Sequence, residues 1–187
     1  MGAPARPLVR ARQLDAAGPA GAAGFSLGGY TAAATVGVRV DEAAYGALFS
    51  GAAPLPPPPE YPELVRDLRE RVTDADAPVL AAAAAQDLTD KRIRAAFLVC
   101  PALGPVLSRT SLRGVARPVA VRWGDADEIA PPEANARVYA DGIPGADARS
   151  LGADVRHEHF IGNAPEGSEA RERAAADAVA FFREHLA

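Results

Sequence analysis

The run Ala20-Gly21-Ala22-Ala23-Gly24-Phe25-Ser26-Leu27-Gly28-Gly29-Tyr30-Thr31 constrains the fold more than any other stretch. Small residues suited to a strand lead into Gly24-Phe25-Ser26-Leu27-Gly28, and an alanine-rich helical segment continues from Thr31 to Thr35. G-x-S-x-G between a strand and a helix describes a sharp turn that presents a serine at the end of a parallel strand. The glycines two before and two after the serine leave room for neighbouring backbone to pass close. The Ser26 oxygen would stand at a helix N-terminus, whose dipole favours developing negative charge, with the Leu27 N–H placed to donate to an oxyanion. A glycine-rich turn with an incidental serine has the same letters. What separates the two is whether an acid and a histidine follow in the order Ser, Asp, His.

The rest of the chain alternates strands and helices. Residues 93–100 form an apolar run stopped by Pro101, which suits a buried parallel strand. Residues 119–123 make a second such run after Arg117-Pro118, and 146–151 a weak last strand. Helices are predicted from Ser26 to about Thr35, from Asp41-Glu42 through Phe49, and over 61–72, 78–88, 133–140 and 168–186. Within 61–72 the apolar residues Leu64, Leu68 and Val72 fall four apart, with Pro62 in the first turn. The last helix carries Ala175, Val179, Phe182 and Leu186 on one face, with Ser168 as its N-cap. Residues 8–14 could add a short helix, and 36–40 either extend the first helix or form a short strand. The pattern predicts one α/β domain over 1–187, with a mainly parallel sheet covered by helices on both faces. Residues 50–88 read as a helical insertion over the face that carries Ser26. Its prolines at 54 and 56–59 make a stiff connection, or a docking segment for a proline-recognition domain.

Charge and composition narrow the function classes. In 187 residues the net charge is −4, which gives no electrostatic reason to expect nucleic acid or an anionic membrane. No apolar run reaches the length of a membrane span, and Met1 to Pro7 has no apolar core of a signal peptide. A cytoplasmic protein is the expectation. The single cysteine, Cys100, excludes an intrachain disulfide and a cysteine-built zinc site; its apolar surroundings predict a buried, inert thiol.

An acid and a base do follow Ser26. Gly124-Asp125-Ala126-Asp127-Glu128-Ile129-Ala130-Pro131-Pro132 puts carboxylates at the C-terminal end of a strand, the edge where α/β sheets bind ligands. Asp127 is the better choice and Asp125 the alternative. An EF-hand loop fails there, because Ala130 and Ala136 stand where Gly and Glu are needed. Arg156-His157-Glu158-His159-Phe160 lies between the last strand and the last helix. A histidine there can reach back to Ser26 while an aspartate orients its other nitrogen. His157 is the better candidate and His159 the alternative. A metal site is disfavoured: no further His or Cys lies nearby, and Ile161 breaks H-E-x-x-H. His185 reads as an exposed residue near the last helix's C-terminus.

These segments resemble a known family. Gly24 to Thr31 looks like the elbow of α/β-hydrolases, and in particular of bacterial dienelactone hydrolase-like proteins, in the branch related to platelet-activating-factor acetylhydrolases. Asp90-Lys91-Arg92-Ile93-Arg94-Ala95 with Pro101-Ala102-Leu103-Gly104 is similar to that branch's sixth strand and the loop after it. Gly124 to Pro132 resembles its seventh-strand end, where the last Asp of G-x-x-D is the triad acid. His157-Glu158-His159-Phe160 resembles its G-H-x-x-F turn, with Arg156 where glycine is usual. The resemblance runs from about residue 20 to the end. It implies a serine esterase acting on a small-molecule ester, with no cofactor. Ser26 would be the nucleophile, Asp127 the orienter, His157 the base and Leu27 N–H an oxyanion donor. The family places four strands before the elbow, so an N-terminally truncated domain is expected here. Its oxyanion hole would have one backbone donor instead of two, and its first strand an exposed edge that invites self-association. The rival expectation is an inactive remnant or an interaction module that keeps the triad letters.

Overall fold

The computed structural model describes residues 18–50, 52, 62–73, 75–162 and 165–187. The expectations for residues 8–14, for the proline run and for a helix start at Tyr61 lie outside these. Four strands form one parallel sheet in the order β1 (Ala20–Phe25), β2 (Ile93–Val99), β3 (Val119–Trp123), β4 (Asp147–Ser150). Register pairs Phe25 with Val99, Val99 with Arg122, and Trp123 with Ser150. The residues that leave the strands, Ser26, Cys100 and Gly124, therefore emerge along one edge of the sheet.

Helices cover both faces, as the alternating pattern predicts. Seven are described: α1 (Leu27–Ala34), α2 (Glu42–Ser50), α3 (Leu64–Arg71), α4 (Asp76–Ala84), α5 (Arg109–Arg113), α6 (Ala136–Gly142) and α7 (Ser168–Leu186). Side chains alternate across the strands with period two. Ala96, Leu98, Val119, Val121 and Trp123 face one core, which they share with α1, α6 and the Val36–Val40 segment. Ala95, Phe97 and Ala120 face a second core under Phe181 of α7. β2 is central and covered on both sides, so its sequence is almost continuously apolar.

Several elements depart from the sequence reading. The segment 36–40 does not extend α1; Gly37 turns the chain with φ 113°, and Val40 makes one antiparallel bridge to Leu107. α4 begins at Asp76 rather than 78, because Thr73 and Asp76 exchange side-chain-to-backbone hydrogen bonds of 3.0 and 3.3 Å. α6 begins at Ala136 rather than 133, since Asn135 spends its side chain on Gly104 N–H and the Pro131 carbonyl. α5 was not foreseen; Ser108 caps it by accepting from Ser111 N–H. α7 buries Ala170, Ala174 and Phe181, not Ala175 and Val179, and Val179 is 50% exposed. Its N-cap is Gly167 at φ 82°, not Ser168. His185 is half-buried, with its ring 4.6 Å from that of Phe181. Among the described residues no helix is long and apolar enough to cross a membrane.

Candidate active site

β1 delivers Ser26 and the loop after β3 delivers Asp127. The turn between β4 and α7 delivers His157, and all three leave the same edge of the sheet. Ser26 has φ 54° and ψ −121°, a backbone conformation costly for a residue with a Cβ. Four backbone hydrogen bonds hold it: Ser26 N–H donates to the Val99 carbonyl at 2.9 Å, and the Ser26 carbonyl accepts from Gly29 N–H at 2.9 Å, Ala102 N–H at 3.1 Å and Tyr30 N–H at 3.4 Å. The turn is closed tightly. A Cβ on Gly24 would overlap the Gly28 carbonyl, and one on Gly29 would lie 2.9 Å from Pro101 Cα. A Cβ on Gly28 would meet only open space. The second glycine this turn requires is therefore Gly29, not the Gly28 of the G-x-S-x-G pattern. Leu27 N–H stands at the first position of α1, where the helix itself supplies no acceptor.

Asp127 and His157 are both buried, and Asp127 Oδ2 lies 2.7 Å from His157 Nδ1. The other oxygen, Oδ1, accepts from Ile129 N–H at 3.1 Å and Ala130 N–H at 2.7 Å. Those two bonds orient the carboxylate and leave one oxygen for the imidazole. The His157 turn sits directly on the acid loop. Ala126 N–H donates to the Val155 carbonyl at 3.0 Å, and a Cβ on Gly124 would run into that same carbonyl. Phe25, next to Ser26, packs against the imidazole with ring centroids 4.6 Å apart, and the Phe160 ring lies 5.7 Å from that of Phe25.

The alternatives are occupied elsewhere. Asp125 accepts from Trp123 Nε1–H at 2.9 Å and from the Ser150 hydroxyl at 2.7 Å. His159 Nδ1 accepts from Arg156 N–H at 3.2 Å, and its carbonyl accepts from Arg171. Among the described residues no hydrogen bond joins the Ser26 hydroxyl to His157. The two are neighbours through the end of β2, where Val99 holds the serine backbone and Cys100 flanks the histidine.

Cys100 is buried, as its apolar run predicts, but its place beside the Asp127–His157 pair carries no signal in the sequence. Its sulfur, an Asp127 oxygen and a His157 nitrogen lie within 4.8 Å of one another, the set among the described residues with metal-donor chemistry. Burial pushes the thiol up, and the Asp127 charge pushes it further, so the sulfur keeps its proton. The carboxylate and imidazole are already joined to each other. That arrangement suits a proton-handling pair better than a cation. Among the described residues a 710 Å³ groove lies between α2 and α4, lined by Glu42, Gly46, Ser50, Ala77 and Ala81, and none of Ser26, Asp127 and His157 lines it.

No protein-family model and no curated protein matches the chain. Among solved structures it is similar to a Mycobacterium tuberculosis H37Rv protein, BpoC, provisionally named a non-heme bromoperoxidase. Identity is 19%, the TM-score is 0.44, and the alignment covers 96% of this chain and 71% of that one.

Proposed function

We propose that the chain is a serine hydrolase of the α/β-hydrolase kind, acting on carboxylic esters and related to the dienelactone hydrolase-like proteins. The observation that carries the reading is the strained Ser26 backbone, held at the same sheet edge as a buried, hydrogen-bonded Asp127–His157 pair. His157 Nε2 takes the proton of the Ser26 hydroxyl as the oxygen attacks the ester carbonyl. Asp127 accepts the Nδ1–H bond, which fixes the tautomer and steadies the imidazolium. Leu27 N–H donates to the oxyanion. The tetrahedral intermediate expels the alcohol, which leaves with the proton from His157. Water then attacks the acyl-enzyme, His157 again moving the proton, and the acid is released. A preformed hydroxyl–imidazole hydrogen bond is not required, because such contacts often tighten only when substrate binds. No cofactor enters this scheme. A cytoplasmic setting goes with it, as does self-association through β1, which has one hydrogen-bonded neighbour among the described strands.

The same missing hydroxyl–imidazole contact favours a second reading, an inactive relative that keeps the elbow and the pair as structure. Turnover of p-nitrophenyl acetate and butyrate separates the two. The wild type is expected to turn over, and Asp127→Asn to lower kcat by about 10⁴-fold through the wrong histidine tautomer. Asp125→Asn should stay within a few-fold of wild type, because its partners are Trp123 and Ser150. A larger loss in Asp125→Asn than in Asp127→Asn would reverse the assignment, and no turnover in any form would favour the inactive relative.

A further inference from the structure

Three non-glycine residues among those described have positive φ: Ser26 at 54°, Cys100 at 43° and Leu103 at 68°. All three belong to one contact, where the loop after β2 lies against the elbow. Pro101 packs on Gly29, and Ala102 N–H donates to the Ser26 carbonyl. Such strain persists only where the surroundings over-determine it. On the far side of that loop stands Tyr139 of α6, fully buried, whose hydroxyl donates to the Ala102 carbonyl at 2.5 Å. Asn135, four residues earlier, accepts from Gly104 N–H at 3.1 Å. Ala102 is thus gripped at both of its backbone polar groups: its carbonyl accepts from the Tyr139 hydroxyl, and its N–H donates to the Ser26 carbonyl.

We infer that Tyr139 is a positioning residue for Ser26, acting through Ala102. The phenol hydroxyl fixes the strained loop, and the loop fixes the carbonyl that sets the serine's backbone. Burial pushes the Tyr139 phenol up, with a further push from Tyr30, so the hydroxyl remains a donor across the working pH range. Without it the Ala102 carbonyl loses its partner in a half-buried site, and the left-handed residues on either side are free to relax. Tyr139 matters to catalysis only if Ser26 is the nucleophile, as proposed above. Its hold on the elbow is a property of the fold and is measurable without any reaction.

Tyr139→Phe removes one oxygen and keeps the ring in the core. Two readouts on the full chain test it. By amide hydrogen exchange, Ala102 N–H should exchange about tenfold faster than in wild type. Gly29 N–H should follow, while Leu98 in the central strand stays within about twofold. By fluorophosphonate labelling, the rate at Ser26 should fall about tenfold with the midpoint of its pH profile unmoved. Equal exchange at Ala102, or the same acceleration at Leu98, would overturn the positioning role, and so would undiminished labelling. If the wild type itself does not label, the hydrolase reading fails, and the exchange data alone decide what Tyr139 does.

Discussion

Replacing Asp147 and Asp177 together by asparagine is expected to cost about 3–5 kcal/mol of stability, among the largest losses any polar change in this fold can produce. Both carboxylates serve Arg122, whose side chain is 1% exposed near the C-terminal end of β3. Its Nη2–H donates to Asp147 at 2.7 Å and its Nε–H to Asp177 of α7 at 2.6 Å. The guanidinium also sits 5.3 Å from the centre of the Phe97 ring. With both acids gone the cation stays buried with only carbonyl partners. Arg122→Met should cost far less, about 1 kcal/mol, because the freed carboxylates are partly exposed and can hydrate. Urea unfolding of the variants measures the difference; an Arg122→Met loss equal to that of the double variant would contradict it.

The same network predicts an acid response with a definite sign. Burial pushes the Asp147 carboxyl up, but hydrogen bonds from Arg122 and Arg149 outweigh it and leave the group below its ordinary value of 3.8. A carboxyl depressed in the fold contributes stability that is complete above the unfolded value and is lost as pH falls through the folded one. Stability in wild type should therefore decline below about pH 4, and less steeply in Arg122→Met.

Gly24→Ala is the second large effect, expected to cost about 3 kcal/mol and to slow any reaction at Ser26 by about 10²-fold. The added methyl would overlap the Gly28 carbonyl, and backbone meeting backbone has no side chain that can swing away. Gly29→Ala, against Pro101, should behave similarly but more mildly. Gly28→Ala should be neutral or stabilising by up to about 1 kcal/mol, since it adds a better helix former in open space. Thermal unfolding and the rate at Ser26, measured across the three, rank them. A Gly28→Ala variant as damaged as Gly24→Ala would mean the turn is not built as described.

Much of the architecture was legible because it rests on local signals. The runs at 93–100 and 119–123 are apolar and stopped by Pro101 and Gly124, so β2 and β3 stand out. What was hidden depends on residues far apart in the chain. Arg122 reads as a break in an apolar strand, because its acids lie 25 and 55 residues later. The sequence ranks Asp127 above Asp125 but does not give the partners of either. Ser150 engages one and His157 the other, which only the packed fold reveals. Gly28 and Gly29 are indistinguishable until Pro101 is brought against one of them. The buried stripe of α7 was misplaced because Phe181 and Phe182 allow two faces, and the sheet selects the one that stacks Phe181 on Phe97, with ring centroids 5.9 Å apart.

Fluorophosphonate labelling of the full chain, read by intact mass and peptide mapping, tests the central claim most directly. One adduct is predicted, on Ser26, absent in Ser26→Ala and formed at least about 10²-fold more slowly in His157→Ala. Folded protein that takes up no probe, or takes it up on a residue other than Ser26, would contradict the assignment of this sheet edge as a hydrolytic site.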